Sequence, residues 1–253
     1  MSSSSRMGQA GKRRIEKISE TLARDLLHDI LERGLTPGTR LPSESELIAS
    51  YGVGKSSLRE ALRLLEVNGV ITIKTGPTGG PIVAESSPVE FAKMSVFYFR
   101  STRVTFGELI EARIMMESMM AGLAASRRNP QTERALRESL ALTKAAVESG
   151  DYQKYLDEAS NFHSIISGLS GNRVLDFFGG ALSQLYYERV AETLMSADSG
   201  RLDFLDEHEA ITNAVLAGDA NAARDLMEAH MTAIQKRLDE YFPTIGTEII
   251  DWR

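Results

Sequence analysis

The sequence contains no cysteine and no long hydrophobic run. Without cysteine there can be no disulfide framework, no thiolate zinc site and no cysteine nucleophile. No apolar run approaches the ~20 residues that a membrane-spanning helix needs, and the N-terminal segment lacks the apolar region of a signal peptide. These absences predict a cytoplasmic protein with no membrane partner, and they give the four histidines more weight as candidate functional residues.

The remaining composition is that of a globular protein with an uneven distribution of charge. The 253 residues are 42% hydrophobic and 25% charged, with a net charge of −6. The first 84 residues carry 12 basic and 9 acidic side chains, net +3, while the other 17 basic and 26 acidic side chains give −9. This asymmetry indicates a nucleic-acid-binding part joined to an acidic part.

The basic part has the pattern of a winged helix-turn-helix over residues 15–84, after a disordered arm over residues 1–14. Apolar spacing predicts a helix over 15–32, and Ser43 with Glu46 forms a capping box for a second helix. The tight turn 52–54 leads to a third helix over 55–68. Two β-branched stretches, 70–74 and 82–84, predict a two-stranded wing.

The acidic part is predicted to be helical throughout, so the predicted fold class is mostly α. A linker over 85–90 precedes an all-helical domain over 91–242, and the tail 243–253 carries no clear pattern. Glycine, Asn-Pro and Gly-Asp breaks divide this part into helices, which we predict over 89–101, 105–127, 130–149, 151–169, 173–196, 201–217 and 220–241.

Hydrogen-bond donors cluster at the start of the third helix and in the wing. Lys55, Ser56, Ser57 and Arg59 provide donors that the apolar packing of the helix does not require. Lys and Arg oppose the helix macrodipole there, a penalty expected where the helix end faces phosphates and base edges in a major groove. In the wing, Thr75 and Gly76 are small enough for close approach to DNA. The alternative is a solvated charged surface.

Three histidines of the acidic part could share one site. His208 and His230 each lie 11 residues from Asp219, at which the helix pair turns, so both lie about 16 Å from the turn at the same height. His163 could supply a third nitrogen. Three imidazoles inside a bundle suit Zn²⁺, Ni²⁺ or Mn²⁺. The alternative is that the histidines make core hydrogen bonds or point to solvent.

Arg113 emerges on an apolar helix face, between Leu109 and Ile110 on one side and Met116 and Met120 on the other. A charge in that position needs a partner. Two partners are open: the side chain four residues later, which would form an ordinary surface ion pair, or the carboxylate of an organic acid, which suits the fork of donors on a guanidinium. The side chain four residues later is Glu117.

Several motifs together resemble one protein family. They are Leu-Pro-Ser-Glu-Ser-Glu-Leu at 41–47, Gly-Val-Gly-Lys-Ser-Ser-Leu-Arg-Glu-Ala-Leu at 52–62, the glycine wing, Phe162-His163, His208, Gly218-Asp219, Ala222-Ala223 and His230. They resemble the GntR family of bacterial transcription regulators, in its FadR subfamily with an FCD-type effector-binding domain. The resemblance implies DNA contacts at Arg40, Ser45, Lys55, Ser56, Arg59, Thr75 and Gly76.

The resemblance also implies roles in the helical domain. Arg113 is expected to bind the carboxylate of an effector, together with His163, His208 and His230, and these histidines are expected to hold a divalent metal, with zinc as the first choice. The family usually has a carboxylate four residues before the first histidine, but this chain has Ala159. Lys55 and Ser45 also stand where many relatives have arginine, and Gly54 where Ser or Thr is common. Because lysine lacks the planar donor fork of arginine, we expect weaker base discrimination at Lys55.

The function that these features favour is a repressor, not an enzyme. A homodimer would bind a palindromic double-stranded DNA operator and release it when a small carboxylate enters the helical domain. Two alternatives remain open. A three-histidine metallohydrolase would need a general base, and Glu209 points about 100° away from His208. An architectural DNA-binding protein without a ligand would not require the histidine alignment.

Overall fold

The computed structural model describes residues 4–76, 79–85, 87–196 and 204–251. The chain divides into two compact units, Met1–Ser87 and Pro88–Arg253. Within the described ranges, no helix is both long enough and apolar enough to cross a membrane. The two units carry the two kinds of pattern that the sequence predicts.

The first unit is a winged helix-turn-helix. Its elements are α1 (Ser4–Glu32), α2 (Glu44–Tyr51), α3 (Lys55–Val67), β1 (Ile71–Lys74) and β2 (Gly80–Val83). Leu22, Leu26 and Ile30 of α1 pack with Leu58 and Leu62 of α3 in a buried core. Because these residues are packed inward, the opposite face of α3 points outward. The sequence analysis predicts that this outer face contacts DNA.

The predicted disordered arm differs from the structure over most of its length. Helix α1 begins at Ser4, so residues 4–14 continue the helix that the apolar pattern starts at residue 15. The physical reason is composition: Gln9, Ala10, Lys12, Arg13 and Arg14 are good helix formers, and no proline interrupts them. Residues 1–3 of the arm lie outside the described part of the chain.

Local capping explains the sharp turn between α2 and α3. The hydroxyl of Ser43 accepts from the backbone N–H of Glu46, and the Glu46 carboxylate accepts from the backbone N–H of Ser43 at 2.7 Å. Helix α2 ends at Gly52, whose φ of 62° lies in the left-handed region that favours glycine. Helix α3 begins after Gly54, which provides no side-chain cap.

The wing is an antiparallel pair in which Ile71 is opposite Val83 and Lys74 is opposite Gly80. The strands differ by one or two residues from the predicted 70–74 and 82–84, because the ladder extends to Gly80 at the loop. Arg40 forms an isolated bridge with Ile82, so the segment before α2 lies along the outer edge of the wing. The bridge supports the outer edge of the hairpin, since an isolated pair of strands would be only marginally stable.

The second unit is a bundle of helices. They are α4 (Pro88–Thr102), α5 (Phe106–Ser126), α6 (Pro130–Ser149), α7 (Tyr152–Leu169), α8 (Arg173–Ser196), α9 (Leu205–Ala217) and α10 (Ala220–Tyr241). Thr105 and Asn129 cap α5 and α6 with their side chains, and Asp151 and Asp219 cap α7 and α10. The predicted helix over 201–217 begins at Leu205, and residues 201–203 lie outside the described part.

Helix α5 lies at the centre of the bundle and packs most extensively against α10. Ala121, Ala124 and Ala125 are fully buried, and these small side chains let the two helices approach closely. A Cβ atom at Gly122 would lie 3.0 Å from the carbonyl oxygen of Ala220, so this position has little room for a side chain.

The last residues form a structured element that the sequence analysis missed. We call residues 242–251 the C-terminal clasp; it contains a short 3-10 helix, Ile245–Thr247, and Ile245 is fully buried. The Phe106 N–H donates to the Glu248 carbonyl at 2.8 Å, and the Ile250 N–H donates to the Val104 carbonyl at 3.0 Å. The clasp therefore holds the turn between α4 and α5.

Candidate functional site

The structure brings His163, His208 and His230 together in the core of the second unit. They come from α7, α9 and α10, and their side chains are buried. The Nε2 atoms of His208 and His230 are 3.2 Å apart, and those of His230 and His163 are 3.4 Å apart. One nitrogen from each ring lies within 4.8 Å of the other two.

The turn between α9 and α10 explains how two of these histidines meet. Gly218 ends α9 with a left-handed φ of 77°, and the Asp219 side chain accepts from the Ala222 N–H at 3.0 Å to start α10. His208 and His230 are equally far from this turn, so an antiparallel helix pair places them at the same height. The equal spacing in the sequence therefore has the geometric result that was expected from it.

Two glutamates hold the outer nitrogens of two histidines. The Nδ1 atom of His163 lies 2.5 Å from Oε2 of Glu117, and the Nδ1 atom of His230 lies 2.6 Å from Oε2 of Glu207. An ionised carboxylate can only accept, so we assign the ring proton of both histidines to Nδ1. Their Nε2 atoms then carry lone pairs that face each other, an arrangement that a cation between them would stabilise.

The third histidine is held by packing. The ring of His208 stacks on Phe162 with centroids 4.0 Å apart, and its Nδ1 atom is buried with no hydrogen-bond partner among the described residues. Burial lowers the pKa of His208 well below its usual value, and the neighbouring histidines lower it further. Burial also lowers the pKa of His230, although the hydrogen bond to Glu207 opposes this shift. Both rings are therefore neutral at pH 7, as metal ligands must be.

Arg113 has its side chain only 4% exposed, and its partner is Glu117. Nη2 of Arg113 lies 2.5 Å from Oε1 of Glu117, and the guanidinium carbon lies 3.9 Å above the ring of Tyr186. Of the two partners that the sequence leaves open, Glu117 is present, but the pair is buried and not on the surface, because α5 is covered on this face by other helices. Burial alone would raise the pKa of Glu117, but Arg113 and His163 together lower it to about 2.

The histidine cluster fits a divalent metal ion on distances and donor chemistry. Tetrahedral zinc with Zn–N bonds of about 2.0–2.1 Å places its nitrogens about 3.3 Å apart. The Nε2 separations of two pairs, 3.2 Å for His208 and His230 and 3.4 Å for His230 and His163, match this spacing, and the ligand atoms of all three histidines lie within 4.8 Å of one another. Within the described residues, the candidate ligand set contains three histidines and no carboxylate.

The position at which the resembling family carries an acidic ligand offers none in this chain. Ala159 lies on α7, four residues before His163. The nearby Asp157 is exposed, and its carboxylate accepts hydrogen bonds from Gln153 and from the hydroxyl of Tyr187. A fourth ligand must therefore come from outside this set of three histidines.

Most of the predicted DNA contacts are exposed side chains of the first unit. Lys55, Ser56 and Arg59 are exposed on α3, and Thr75 and Gly76 are exposed after β1. Nε of Arg59 lies 3.4 Å from Oε2 of Glu44. Arg40 and Ser45 are also exposed; Nη1 of Arg40 donates to the Gly79 carbonyl at 3.4 Å, and the hydroxyls of Ser45 and Ser43 are 3.0 Å apart.

Ser57 is an exception among the predicted DNA contacts. It is only 7% exposed, because its position in α3 turns it toward the buried side that also carries Leu58 and Ala61. A side chain with this orientation is not presented at the surface on which the neighbouring donors lie. Its prediction as a DNA contact is therefore corrected.

Sequence reasoning missed three residues of the site in the second unit. Glu207 immediately precedes His208 in α9, yet it contacts His230 on the neighbouring helix. Tyr186 lies against Arg113, and Phe204 contacts the ring of His230 edge-on with centroids 5.4 Å apart. The position of Glu207 beside a candidate ligand is a signal that could have identified it, whereas nothing in the sequence marks Tyr186 or Phe204.

Comparisons with known proteins agree with both units. Residues 18–78 match the family described as bacterial regulatory proteins, gntR family, and residues 108–233 match the FCD domain. HTH-type transcriptional regulator LutR of Bacillus subtilis (strain 168) is 29% identical over 212 residues, which are 82% of this chain and 95% of that protein. HTH-type transcriptional repressor NanR of Edwardsiella tarda (strain FL6-60) is 26% identical over 227 residues, 87% of this chain and 84% of that protein.

A solved structure supports the same assignment. Streptococcus agalactiae GntR matches with a TM-score of 0.73 and 27% sequence identity, and the match covers 87% of this chain and 99% of that chain. The two family matches and the regulators among its relatives define a DNA-binding transcriptional regulator rather than an enzyme. The chain belongs to the GntR family, and its second unit carries an FCD domain.

Proposed function

We propose that this regulator is a repressor that releases its operator when a small organic acid binds in the second unit. The observation that carries the proposal is the buried cluster of Arg113, Glu117 and three histidines, in which cationic and metal-binding groups share one site. A structural core gains nothing from burying these groups unless they have partners. The name of the NanR relative, a transcriptional repressor, supports repression as the direction of control.

The acid would be held by Arg113 together with the histidine cluster. Among the described residues, Nε and Nη1 of Arg113 are buried without hydrogen-bond partners, which supports an anion as the missing partner. His163, His208 and His230 would hold a divalent metal, with zinc as the first choice. The metal would act as a Lewis acid that binds a carboxylate oxygen of the effector, in the position that Ala159 leaves without an acidic ligand.

The DNA side of the function would use the exposed face of the first unit. Lys55, Ser56 and Arg59 would enter the major groove, Thr75 and Gly76 of the wing would lie beside it, and Arg40 and Ser45 would contact the backbone or base edges. This proposal rests on the exposure of these side chains at one end of α3, in the wing and before α2.

A homodimer on a palindromic operator completes the proposal. Four large apolar side chains on α4 are exposed, namely Phe91, Met94, Phe97 and Tyr98, and Val174 and Phe178 are exposed on α8, which packs against α4. An apolar surface of this kind supports burial against a second copy of the chain. The second copy would place two winged units on two half-sites.

The site is tested by metal analysis and ligand screening of the full-length protein. Elemental analysis after purification without chelator should give one divalent metal per chain, and absence of metal would reject the metal site. Thermal-shift screening with organic acids, with and without added Zn²⁺, should find stabilisation that grows as RT ln(1 + [L]/Kd). Arg113→Gln should lose this stabilisation, and Arg137→Gln, an exposed arginine on α6, should keep it.

The structure and the same binding experiments distinguish the repressor from its two alternatives. Glu209 is exposed on the side of α9 away from the buried His208, so the cluster lacks the general base that a hydrolase would need from this residue. An architectural DNA-binding protein would bind its DNA equally well with and without every acid that stabilises it. Insensitivity of that kind would favour the architectural alternative over the repressor.

A further inference from the structure

Glu117 contacts both Arg113 and the histidine cluster. It is 3% exposed, and each of its carboxylate oxygens has its own partner: Oε1 lies 2.5 Å from Nη2 of Arg113, and Oε2 lies 2.5 Å from Nδ1 of His163. Arg113 and Glu117 are four residues apart on α5, and His163 comes from α7. One short, buried carboxylate therefore cannot move toward one partner without leaving the other.

We propose that Glu117 is a positioning residue shared by Arg113 and the histidine cluster, so that an anion at Arg113 and a metal ion at the histidines raise each other's affinity. This inference rests on the proposed function and concerns how its two ligands communicate.

The first step is the orientation of His163. The Glu117 carboxylate accepts the Nδ1 proton, which leaves the Nε2 lone pair directed at Nε2 of His230, 3.4 Å away. A carboxylate behind a histidine fixes the ring and increases its basicity as a ligand. Glu207 holds His230 in the same way, but it is one-third exposed and its further neighbour, Arg237, lies 3.8 Å away at the surface. Glu117 alone of these two glutamates connects the cluster to a buried arginine.

The second step is the competition for the charge of Glu117. Arg113 draws the carboxylate toward Nη2 while its Nε and Nη1 atoms have no hydrogen-bond partner among the described residues. An anion on those nitrogens would neutralise part of the guanidinium charge, so more of the carboxylate charge would remain for His163 and the metal. The effect works in reverse, because a cation on Nε2 strengthens the Nδ1–H···Oε2 bond and weakens the hold of Glu117 on Arg113. Thermodynamic linkage requires the two effects to be equal.

The test measures Zn²⁺ affinity alone, by competition with a chelating dye, on full-length variants. Glu117→Gln should weaken Zn²⁺ binding about 10–100-fold. The control is Glu133→Gln, which removes the carboxylate from an exposed Arg–Glu pair four residues apart on α6 and should leave Zn²⁺ affinity unchanged. The ¹⁵N spectrum of His163 should show the Nδ1–H tautomer in the wild type and a changed tautomer population in Glu117→Gln, which loss of structure elsewhere would not produce.

A double variant covers the case in which Glu117→Gln does not fold because Arg113 is left without a partner. Arg113→Gln with Glu117→Gln removes both charges and should still bind Zn²⁺ about 10-fold or more weakly than the wild type. Wild-type affinity in the double variant would mean that Glu117 only neutralises Arg113, and it would overturn the proposal, as would Zn²⁺ affinity in Glu117→Gln within twofold of Glu133→Gln. A wild type that takes up no Zn²⁺ is a different result, which rejects the proposed metal site itself and this inference with it.

Discussion

Glu248 holds Arg189 with both oxygens of its carboxylate: Nε of Arg189 lies 2.8 Å from Oε2, and Nη2 lies 2.8 Å from Oε1. Arg189 belongs to α8, 59 residues before Glu248 in the C-terminal clasp. The backbone carbonyl of Glu248 also accepts from the N–H of Phe106, whose ring stacks on Tyr186 at 5.8 Å. Because Tyr186 faces Arg113, the clasp supports the wall behind the proposed effector arginine.

Removal of this carboxylate should loosen the second unit. Glu248→Ala is expected to lower the free energy of unfolding by about 1 kcal/mol, a modest value because the pair is partly exposed to water. Urea denaturation measures the change. The comparison is Glu133→Ala, whose pair with Arg137 is more exposed and should change stability by less than about 0.5 kcal/mol. Equal effects in the two variants would mean that the clasp contributes no more than a surface ion pair.

A second prediction concerns the close approach of the clasp to Gly107 of α5. A Cβ atom at Gly107 would lie 2.8 Å from the carbonyl oxygen of Gly246, so Gly107→Ala must push the clasp away from α5. We expect a loss of about 1–3 kcal/mol in thermal or urea unfolding. Gly168→Ala on α7 is the matched control, because its Cβ would have only Asp176 Oδ1 at 4.0 Å and alanine favours the helix. A Gly107→Ala variant as stable as the control would contradict the packing described here.

The third prediction concerns the DNA-binding face. Lys55→Ala should weaken operator binding about tenfold at constant salt, because it removes a donor exposed at the start of α3. Arg137→Ala removes the same charge from the second unit and should change affinity by much less. Ser57→Ala should bind like the wild type, since Ser57 is buried. Fluorescence anisotropy with a labelled operator duplex measures all three, and a loss in Ser57→Ala equal to that in Lys55→Ala would contradict the orientation of α3.

The fourth prediction concerns acid stability of the metal-free protein. Burial lowers the pKa of His208 and of His230 in the folded state. Below pH about 6.5, the unfolded chain therefore binds protons at these rings that the folded chain does not bind, so stability falls as the pH decreases. Stability from these neutral rings is complete above pH about 6.5 and is lost as the pH falls toward their folded pKa values.

Urea unfolding in the presence of a chelator at several pH values between 8 and 5 measures this dependence. His208→Asn should reduce the slope of stability against pH, whereas His28→Asn, at an exposed position of α1, should not. A wild-type slope that stays unchanged in His208→Asn would mean that other groups cause the acid sensitivity.

Features that depend on the local pattern of residues along the chain could be predicted from the sequence. The Ser43–Glu46 capping box is present as expected, and the equal distances of His208 and His230 from Asp219 placed the two rings together because helix geometry is regular. The helical start of α1 could also have been predicted from local composition, because good helix formers follow the first serines. The prediction of a disordered arm gave more weight to the serine and glycine residues.

Features that depend on packing between distant segments could not be predicted in the same way. The spacing made Glu117 one of two candidate partners of Arg113, but its burial and its second bond to His163 depend on how α7 packs on α5. Residues 242–251 have no periodic pattern, and the clasp is held instead by contacts to distant segments, namely α4, α5 and α8. Ser57 was assigned to the DNA because its neighbours are donors, although its own direction is inward.

The most direct test of the proposed function measures operator release by full-length protein. The operator is a duplex selected from random DNA by the protein itself, and release is followed by fluorescence anisotropy at constant salt in the presence of Zn²⁺ and each organic acid that stabilises the protein. We predict that at least one acid releases the wild type from DNA, while the His208→Ala, His230→Ala double variant binds DNA with wild-type affinity and no longer responds. Release of wild type and double variant at the same acid concentration, or no release by any stabilising acid, would contradict the account.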